Sequence, residues 1–176
     1  MACDTDSIIE VAKRVNPELD VYIHRNQLTI ITQKEKLLET ANELKSNSAT
    51  SFDMLLDITA IDRLKHDNRF EIVYFLWSNK YKTRVRLKVI LHGDYPNCPS
   101  IVSIWESANW YERETFDMYG IKFEGHPGLR RFYMPEDYND PDSGEPIFPL
   151  RKDFPLMGIP GSLPLPPYPE KYGELN

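Results

Sequence analysis

Two segments of the chain carry apolar residues three or four positions apart, the spacing that places them on one face of a helix. The first is predicted as a helix over Thr5–Val15, which Pro17 ends because proline cannot continue a helix. The second is predicted over Lys34–Ser46, with lysines and glutamates on its other face. Each predicted helix therefore has one face for a core and one for solvent.

Other segments alternate apolar and polar residues with a period of two, or form short apolar runs, and both patterns are typical of strands. Arg25-Asn26 suits the tight turn of a hairpin, since asparagine tolerates a positive φ. Ser100–Trp105 is predicted as a short strand or as the lead into a helix. The predicted strands are Asp20–His24, Gln27–Thr32, Phe52–Ile61, Phe70–Trp77 and Thr83–Leu91.

The last third of the chain changes character. A third helix is predicted over Ala108–Tyr119, and Gly120 suits the left-handed residue that ends many helices. Residues 135–176 contain ten prolines, which disfavour helix and central strand. We therefore predict an α+β domain over residues 1–134, with a mostly antiparallel sheet and helices on one face. Residues 135–176 are predicted as an extended proline-rich C-terminal arm that packs on neighbouring subunits, because alone it would not recover its ordering entropy.

Composition and the absence of certain motifs argue against several classes of protein. The chain has 176 residues and a net charge of −6, so a basic nucleic-acid surface is not expected. No signal peptide or run of roughly 18–20 apolar residues occurs, so we expect the chain to reach a membrane only through a partner. No CxxC, histidine cluster or glycine-rich phosphate loop occurs. We therefore expect no catalytic residue, no cofactor and no metal held by this chain itself.

Three cations, Arg84, Arg86 and Lys88, alternate with apolar residues in the predicted strand Thr83–Leu91. A period of two places all three on one face of the sheet. Two interpretations stay open: a solvated sheet face, or a surface that meets an acidic partner.

The segment from Tyr111 to Pro155 combines charges of both signs with aromatic residues, which is typical of a protein–protein contact surface. Arg113 and Asp117 are four residues apart, so a structural ion pair on the helix surface is the alternative. Glu112 and Glu114 point to different sides of a helix. That divergence argues against a hydrolase that uses them as acid and base.

Two basic pairs follow this helix, Arg130-Arg131 and Arg151-Lys152. Either pair has the donors to hold a phosphate or a carboxylate. Several acids are interleaved with them, which argues against a site for a free anion. Ion pairs with those acids, or with acids of a neighbouring chain, use the same donors.

A longer pattern in this segment resembles a known family. Its parts are Glu112-Arg113-Glu114, Asp117-Met118-Tyr119-Gly120-Ile121, Gly125-His126-Pro127, Leu129-Arg130-Arg131 and Pro149-Leu150-Arg151-Lys152-Asp153-Phe154-Pro155. They resemble the signature of the thirty-kilodalton, C-type subunit of proton-pumping NADH:quinone oxidoreductase (respiratory complex I), a family that includes the J-type subunit of plastids and cyanobacteria. The segment Asn139–Phe148 is longer than the usual link, which leaves the branch of the family open.

The resemblance implies a two-layer α+β sandwich with a mixed sheet, and a non-redox structural role in the peripheral, quinone-module arm. It implies that partner subunits bind FMN, iron–sulfur clusters and quinone, and that the complex couples electron transfer from NADH to proton translocation. The implied partners are the large quinone-site subunit (D type, forty-nine kilodaltons) and the adjacent terminal-cluster subunit (B type). The implied location is the cytoplasmic side of the membrane, as a peripheral membrane protein. The residues expected at the subunit interface are Glu112, Arg113, Glu114, Asp117, His126, Arg130, Arg131, Arg151, Lys152 and Asp153.

Other functions stay open at this point. The same fold is expected in subunits of membrane-bound hydrogenases and of ferredoxin-driven quinone oxidoreductases, and the sequence does not choose the electron donor or the quinone. A generic acidic binding module is a different class, and the length of the signature argues against it.

Overall fold

All three predicted helices and all five predicted strands are present in a computed structural model, which describes residues 4–64 and 66–155. The helices are α1 (Thr5–Val15), α2 (Leu37–Ser46), which follows a 3-10 turn at Lys34–Lys36, and α3 (Ala108–Tyr119). The strands are β1 (Asp20–His24), β2 (Gln27–Thr32), β3 (Met54–Asp62), β4 (Phe70–Ser78), β5 (Thr83–Leu91), β6 (Asn97–Pro99) and β7 (Lys122–Glu124). The sequence analysis missed β6 and β7, because three residues are too few to show a period.

The main sheet has the strand order β1-β2-β5-β4-β3. Strand β2 runs parallel to β5, and the other neighbouring pairs are antiparallel. Strands β6 and β7 form a separate parallel pair. The mixed, mostly antiparallel sheet of the predicted α+β fold is therefore confirmed.

One core lies between the sheet and the helices. It combines the apolar stripe of each helix with every second residue of the strands, as the period of two requires. In β5, Val85, Leu87 and Val89 are buried in this core, whereas Arg84 and Arg86 lie on the other face. We call that other face the open sheet face and define it by Phe75, Trp77, Arg84, Arg86 and Lys88.

The described part of the C-terminal arm, residues 135–155, packs on its own domain, which the sequence analysis did not anticipate. The backbone N–H of Leu150 donates to the carbonyl of Met118 at 3.1 Å. Phe148 is buried. The remaining part of the predicted arm, residues 156–176, lies outside the described residues, so its packing on neighbouring subunits stays a prediction.

Candidate functional site: the charged region around the third helix

Helix α3 brings several charged side chains into the interior. Glu112, Arg113 and Asp117 are all buried. The sequence analysis gave a surface ion pair between Arg113 and Asp117 as the alternative to an interface role. That alternative is wrong, because both residues are buried and Asp117 pairs with Arg131. A helical period alone does not reveal that a later segment folds back over a charged face.

Asp117 anchors the loop that follows β7. Its Oδ1 accepts a hydrogen bond from Nη1 of Arg131 at 3.0 Å. Its Oδ2 accepts three backbone N–H bonds, from Phe132 at 3.1 Å, Tyr133 at 2.8 Å and Met134 at 2.9 Å. One fully buried carboxylate therefore fixes four consecutive residues against the helix.

Arg131 extends this anchor to the arm. Its Nη2 donates to the carbonyl of Ile147 at 3.1 Å, and its guanidinium lies 5.0 Å from the centre of the Phe148 ring. Its side chain is 7% exposed, and that of its partner Asp117 is 0% exposed. The ion pair is thus an internal link between helix, loop and arm, which is the internal pairing that the sequence left open as the alternative to a contact with a neighbouring chain.

A second buried pair holds the end of the described arm. Arg69 donates to both oxygens of Asp62, at 3.1 Å each, and to Asp153 at 2.6 Å. It also donates to Asp94. The backbone N–H of Lys152 donates to Asp62 at 2.8 Å. These bonds tie the last described turn to the ends of β3 and β4.

Burial raises the pKa of Asp62, but hydrogen bonds from Arg69 and from the backbone N–H of Lys152 and Leu64 outweigh it and leave the pKa below its ordinary value. The hydrogen bond to Asp62 does the most to raise the pKa of Arg69 far above its ordinary value. The sequence analysis missed this pair, because no local spacing connects Asp62 and Arg69 to the arm.

Arg151 differs from Arg69 in that its guanidinium lies among three aromatic rings. Its Nε donates to the carbonyl of Tyr119 at 2.6 Å, and its Nη2 is buried and has no hydrogen bond to the other described residues. Burial lowers the pKa of Arg151, and the nearby charge of Arg69 lowers it further. The guanidinium lies 4.5 Å from the ring centre of Phe148, 5.2 Å from that of Phe70 and 5.4 Å from that of Tyr95.

Gly120 makes this close packing possible. Its φ is +75°, the left-handed conformation in which glycine carries no steric penalty, and its N–H donates to Phe116 at 2.8 Å. A Cβ at this position would lie 2.5 Å from the Phe148 ring and 2.6 Å from Nη2 of Arg151. Both the backbone conformation and the return of the arm therefore require glycine here.

Glu112 is a buried carboxylate that pairs with no cation in the part of the chain that the structure describes. It accepts from Oγ of Ser100 at 2.6 Å and from the backbone N–H of Ile101 at 2.7 Å. Burial raises its pKa to about 7, although both hydrogen bonds lower it. Glu114 lies toward Asp57, and burial, followed by that charge, raises its pKa. The two glutamates have different surroundings and do not converge as an acid–base pair would.

An exposed aromatic patch surrounds Arg113. We define it by Trp110, Phe132 and Tyr133, which are 60%, 36% and 60% exposed. The Arg113 guanidinium lies 4.8 Å from the ring centres of both Trp110 and Phe132. Its Nε donates to the carbonyl of Arg130 at 3.3 Å. The sequence analysis did not single out this patch, since the three rings come from two separate segments.

The other predicted interface residues lie near this patch or at the end of the described arm. His126 accepts from the backbone N–H of Gly128 at Nδ1 and contacts the Asn109 carbonyl through Nε2, which fits the neutral ring with its proton on Nε2. Arg130 is exposed, and within residues 4–64 and 66–155 its guanidinium has no hydrogen bond or ion pair. Lys152 and Asp153 are exposed as well.

Comparison with known proteins places these residues in a family. The model of the respiratory-chain NADH dehydrogenase 30 kDa subunit matches residues 30–160. The chain belongs to this family. The match covers the second half of β2, the sheet strands that follow it, all of α3 and both buried ion pairs.

Similar curated proteins are named as C-type subunits of NADH-quinone oxidoreductase. The chain is 48% identical over 124 residues to the second C-type subunit of the NADH-quinone oxidoreductase of Rhizobium meliloti, covering 70% of this chain and 64% of that protein. It is 37% identical over 158 residues to the C-type subunit of the same enzyme of Roseiflexus sp., covering 89% and 87%. The chain thus spans less than two thirds of the Rhizobium protein's length.

Solved structures share the fold. A trypsin-resistant fragment of Nqo5 superposes with a TM-score of 0.60 at 29% identity, covering 70% of this chain and 98% of that one. A chain of a membrane-bound sulfane sulfur reductase, an archaeal respiratory membrane complex, gives a TM-score of 0.68 at 26% identity, covering 86% of each. Among the described residues of this family member, no helix is long and apolar enough to cross a bilayer.

Proposed function

We propose that this chain is the thirty-kilodalton, C-type subunit of an NADH-quinone oxidoreductase, with a structural role in the peripheral arm. The observation that carries the proposal is the family match over residues 30–160, together with relatives named as that subunit. The complex transfers electrons from NADH to quinone and translocates protons. In this role the chain positions the neighbouring subunits and carries out no chemistry of its own.

The geometry around α3 supports a contact role. Arg131 and Asp62, with their partners, fix the loop and the arm so that the aromatic patch and Arg130 are presented on a rigid support. Tyr, Trp and Arg are the residues that dominate binding energy at protein interfaces. The patch and Arg130 are therefore the proposed contact surface of the chain.

The proposed neighbours are the large quinone-site subunit of the D type and the terminal-cluster subunit of the B type. In this proposal they hold the quinone and the cluster, and a further module holds FMN. The hetero-oligomeric complex then keeps the chain at the cytoplasmic side of the membrane, as a peripheral subunit.

The alternative is that the chain serves in a membrane-bound hydrogenase or in a ferredoxin-driven oxidoreductase. The likeness to the sulfane sulfur reductase chain shows that the same fold serves in a complex with another named activity. The 48% and 37% identities to NADH-quinone oxidoreductase subunits favour the NADH-dependent complex.

A deletion strain of the host tests the proposal. Membranes from the strain should lose NADH:quinone reductase activity and regain it when the full chain is supplied with an affinity tag. The tagged chain should co-purify with the D-type and B-type subunits. Intact NADH:quinone activity in the deletion strain, or co-purification with a nickel-ligating hydrogenase subunit, would contradict it.

A further inference from the structure

The three cations of the open sheet face differ in whether a carboxylate of this chain pairs with them. Lys88 donates to Glu71 at 2.9 Å, and Glu71 also accepts from Arg63, so this part of the face is an internal ion network. Arg84 is exposed and has no hydrogen bond or ion pair within the described residues. Arg86 lies between these two residues on β5.

Arg86 has donors that nothing satisfies in the described structure. Its Nε and Nη2 are both inaccessible to water and have no hydrogen-bond partner. Its register neighbours on the adjoining strands are Thr29 and Phe75, neither of which is a carboxylate. Native proteins seldom leave buried donors unpaired, because the lost hydration costs about 1–3 kcal/mol per group.

Two other arginines of this fold have partners that meet their charge. Arg69 contacts three carboxylates. Arg151, whose Nη2 also lacks a hydrogen bond among the described residues, lies over three aromatic rings. Arg86 has neither kind of contact in the part of the chain that the structure describes. Its unmet donors therefore point to a partner outside this part of the chain.

The two unmet donors have a specific shape. Nε–H and the adjacent Nη2–H form one edge of the planar guanidinium, and this edge binds both oxygens of a carboxylate side by side. A cavity of about 20 Å³ has Gln27, Phe75, Arg84 and Arg86 among its lining. Because this volume holds about one water molecule, a carboxylate enters only if the exposed side chain of Arg84 shifts.

Three of the five residues that define the open sheet face are cations, Arg84, Arg86 and Lys88. Burial raises the pKa of Tyr22 on β1, but hydrogen bonds from Lys88 and Thr29, followed by the charges of Lys88 and Arg86, outweigh it, so the pKa is lowered. The chain as a whole carries a net charge of −6. A cationic strip on an acidic protein selects a partner whose own acids are concentrated in one segment.

We propose that the open sheet face binds an acidic segment of a neighbouring subunit, with one Asp or Glu carboxylate on the Nε/Nη2 edge of Arg86 and a second acid at Arg84. The neighbour belongs to the complex assigned under the proposed function, on which this step rests. The contact lies on the sheet side, whereas the aromatic patch presents a separate surface.

Photo-crosslinking in the purified complex tests the contact. Trp77 is the register neighbour of Arg84 on this face, so Trp77→p-benzoylphenylalanine places an aromatic crosslinker beside the site without removing either arginine. Lys13→p-benzoylphenylalanine, on the exposed side of α1, is the matched control. The crosslinked peptide is identified by mass spectrometry.

The possible results distinguish failure of this contact from failure of the proposed function. A crosslink from position 77 to a segment rich in Asp or Glu of another subunit supports the contact. A crosslink to residues 156–176 of the same chain, to nucleic acid, to a basic or apolar segment, or to nothing overturns it. Failure of the chain to co-purify with the complex would instead overturn the proposed function.

Substitution of Arg86 provides a second test of the contact. Arg86→Gln should lower the crosslink yield by about tenfold, and Arg86→Lys should recover only part of it, because lysine keeps the charge but loses the bidentate edge. Arg14→Gln, an exposed arginine on α1, should leave the yield unchanged. Equal yields for Arg86→Gln and the native chain would overturn the role of Arg86.

Discussion

Arg131 and Arg86 are two partly buried arginines in different parts of the fold. Arg131, beside α3, has a buried carboxylate, a carbonyl and a ring as partners. Arg86, on the open sheet face, has two buried donors that find no hydrogen-bond partner among the described residues. The difference shows that two charges of the family signature, Asp117 and Arg131, are paired within this chain. Arg86, which lies outside that signature, has two donors that are unpaired among the described residues.

The first prediction tests whether Arg131 is internal. Arg131→Met should lower the free energy of unfolding by roughly 3–5 kcal/mol, because it leaves the buried charge of Asp117 without its cation. Arg130→Met, the adjacent exposed residue, should change it by no more than about 0.5 kcal/mol. Urea unfolding of the full chain measures both. Equal effects of the two substitutions would contradict the assignment of Arg131 to the interior.

The second prediction extends the comparison to Glu112, a buried carboxylate that has no cation partner within residues 4–64 and 66–155. The pKa of Glu112 is about 7, above the ordinary value of 4.5, so the folded state binds this proton more tightly than the unfolded state does. Its stabilising effect is present below about pH 4.5 and is lost as the pH rises through about 7. Glu112→Gln, which carries no charge, should therefore gain about 3 kcal/mol relative to the native chain between pH 4.5 and 8.

Unfolding free energies of both proteins across this pH range measure the difference. The comparison cancels the titration of other carboxylates, such as Asp62, whose lowered pKa acts in the opposite direction. A constant difference between the two proteins at all pH values would show that Glu112 keeps an ordinary pKa.

The third prediction measures how tightly the arm packs on α3. Gly120 and Gly125 have similar positive φ values, +75° and +79°, but only Gly120 faces Phe148 and Arg151 at close range. Gly125→Ala should cost about 1–2 kcal/mol for the backbone conformation alone. Gly120→Ala should cost a further 1–3 kcal/mol, roughly, for overpacking. Equal losses would mean that the arm does not press on Gly120 in solution.

The smallest effect is expected for the stability of Arg86→Gln. Because the guanidinium has no partner in the described structure, its removal should change the free energy of unfolding by no more than about 0.5 kcal/mol or raise it slightly. Thermal unfolding of the full chain checks this. A loss of 2 kcal/mol or more, of the order roughly expected for a structural ion pair, would show that Arg86 has an internal partner.

The periodic parts of the chain were predictable because local spacing decides them. The boundaries of α1 and α3 and the cationic face of β5 follow from periods of 3.6 and 2. The partners of Asp117 and Asp62 were not predictable, since they depend on a return of the chain over α3 that no local pattern encodes. Residues 131–155 have little regular structure, so their contacts arise from single side chains instead of a repeating surface.

The resemblance identified the family correctly, but it did not separate residues that hold the fold from residues that face a partner. The burial of each side chain distinguishes the two groups of residues. Asp117 and Arg131 lie inside, whereas Arg130 and Tyr133 remain exposed on the same loop. A recognisable pattern of residue types is thus compatible with two different physical roles at adjacent positions.

The central claim is that the buried charges hold this chain together while the exposed aromatic patch holds its neighbours. Tyr133→Ala tests it most directly, because the ring is 60% exposed and contacts Phe132, whereas the anchor to Asp117 uses the backbone N–H that alanine keeps. The measurement is the amount of the other subunits that co-purifies with the tagged chain, with the unfolding free energy of the same variant as control. We expect a loss of affinity of roughly 2 kcal/mol, about thirtyfold, with stability unchanged within about 0.5 kcal/mol. Full co-purification of a stably folded Tyr133→Ala chain would contradict the account.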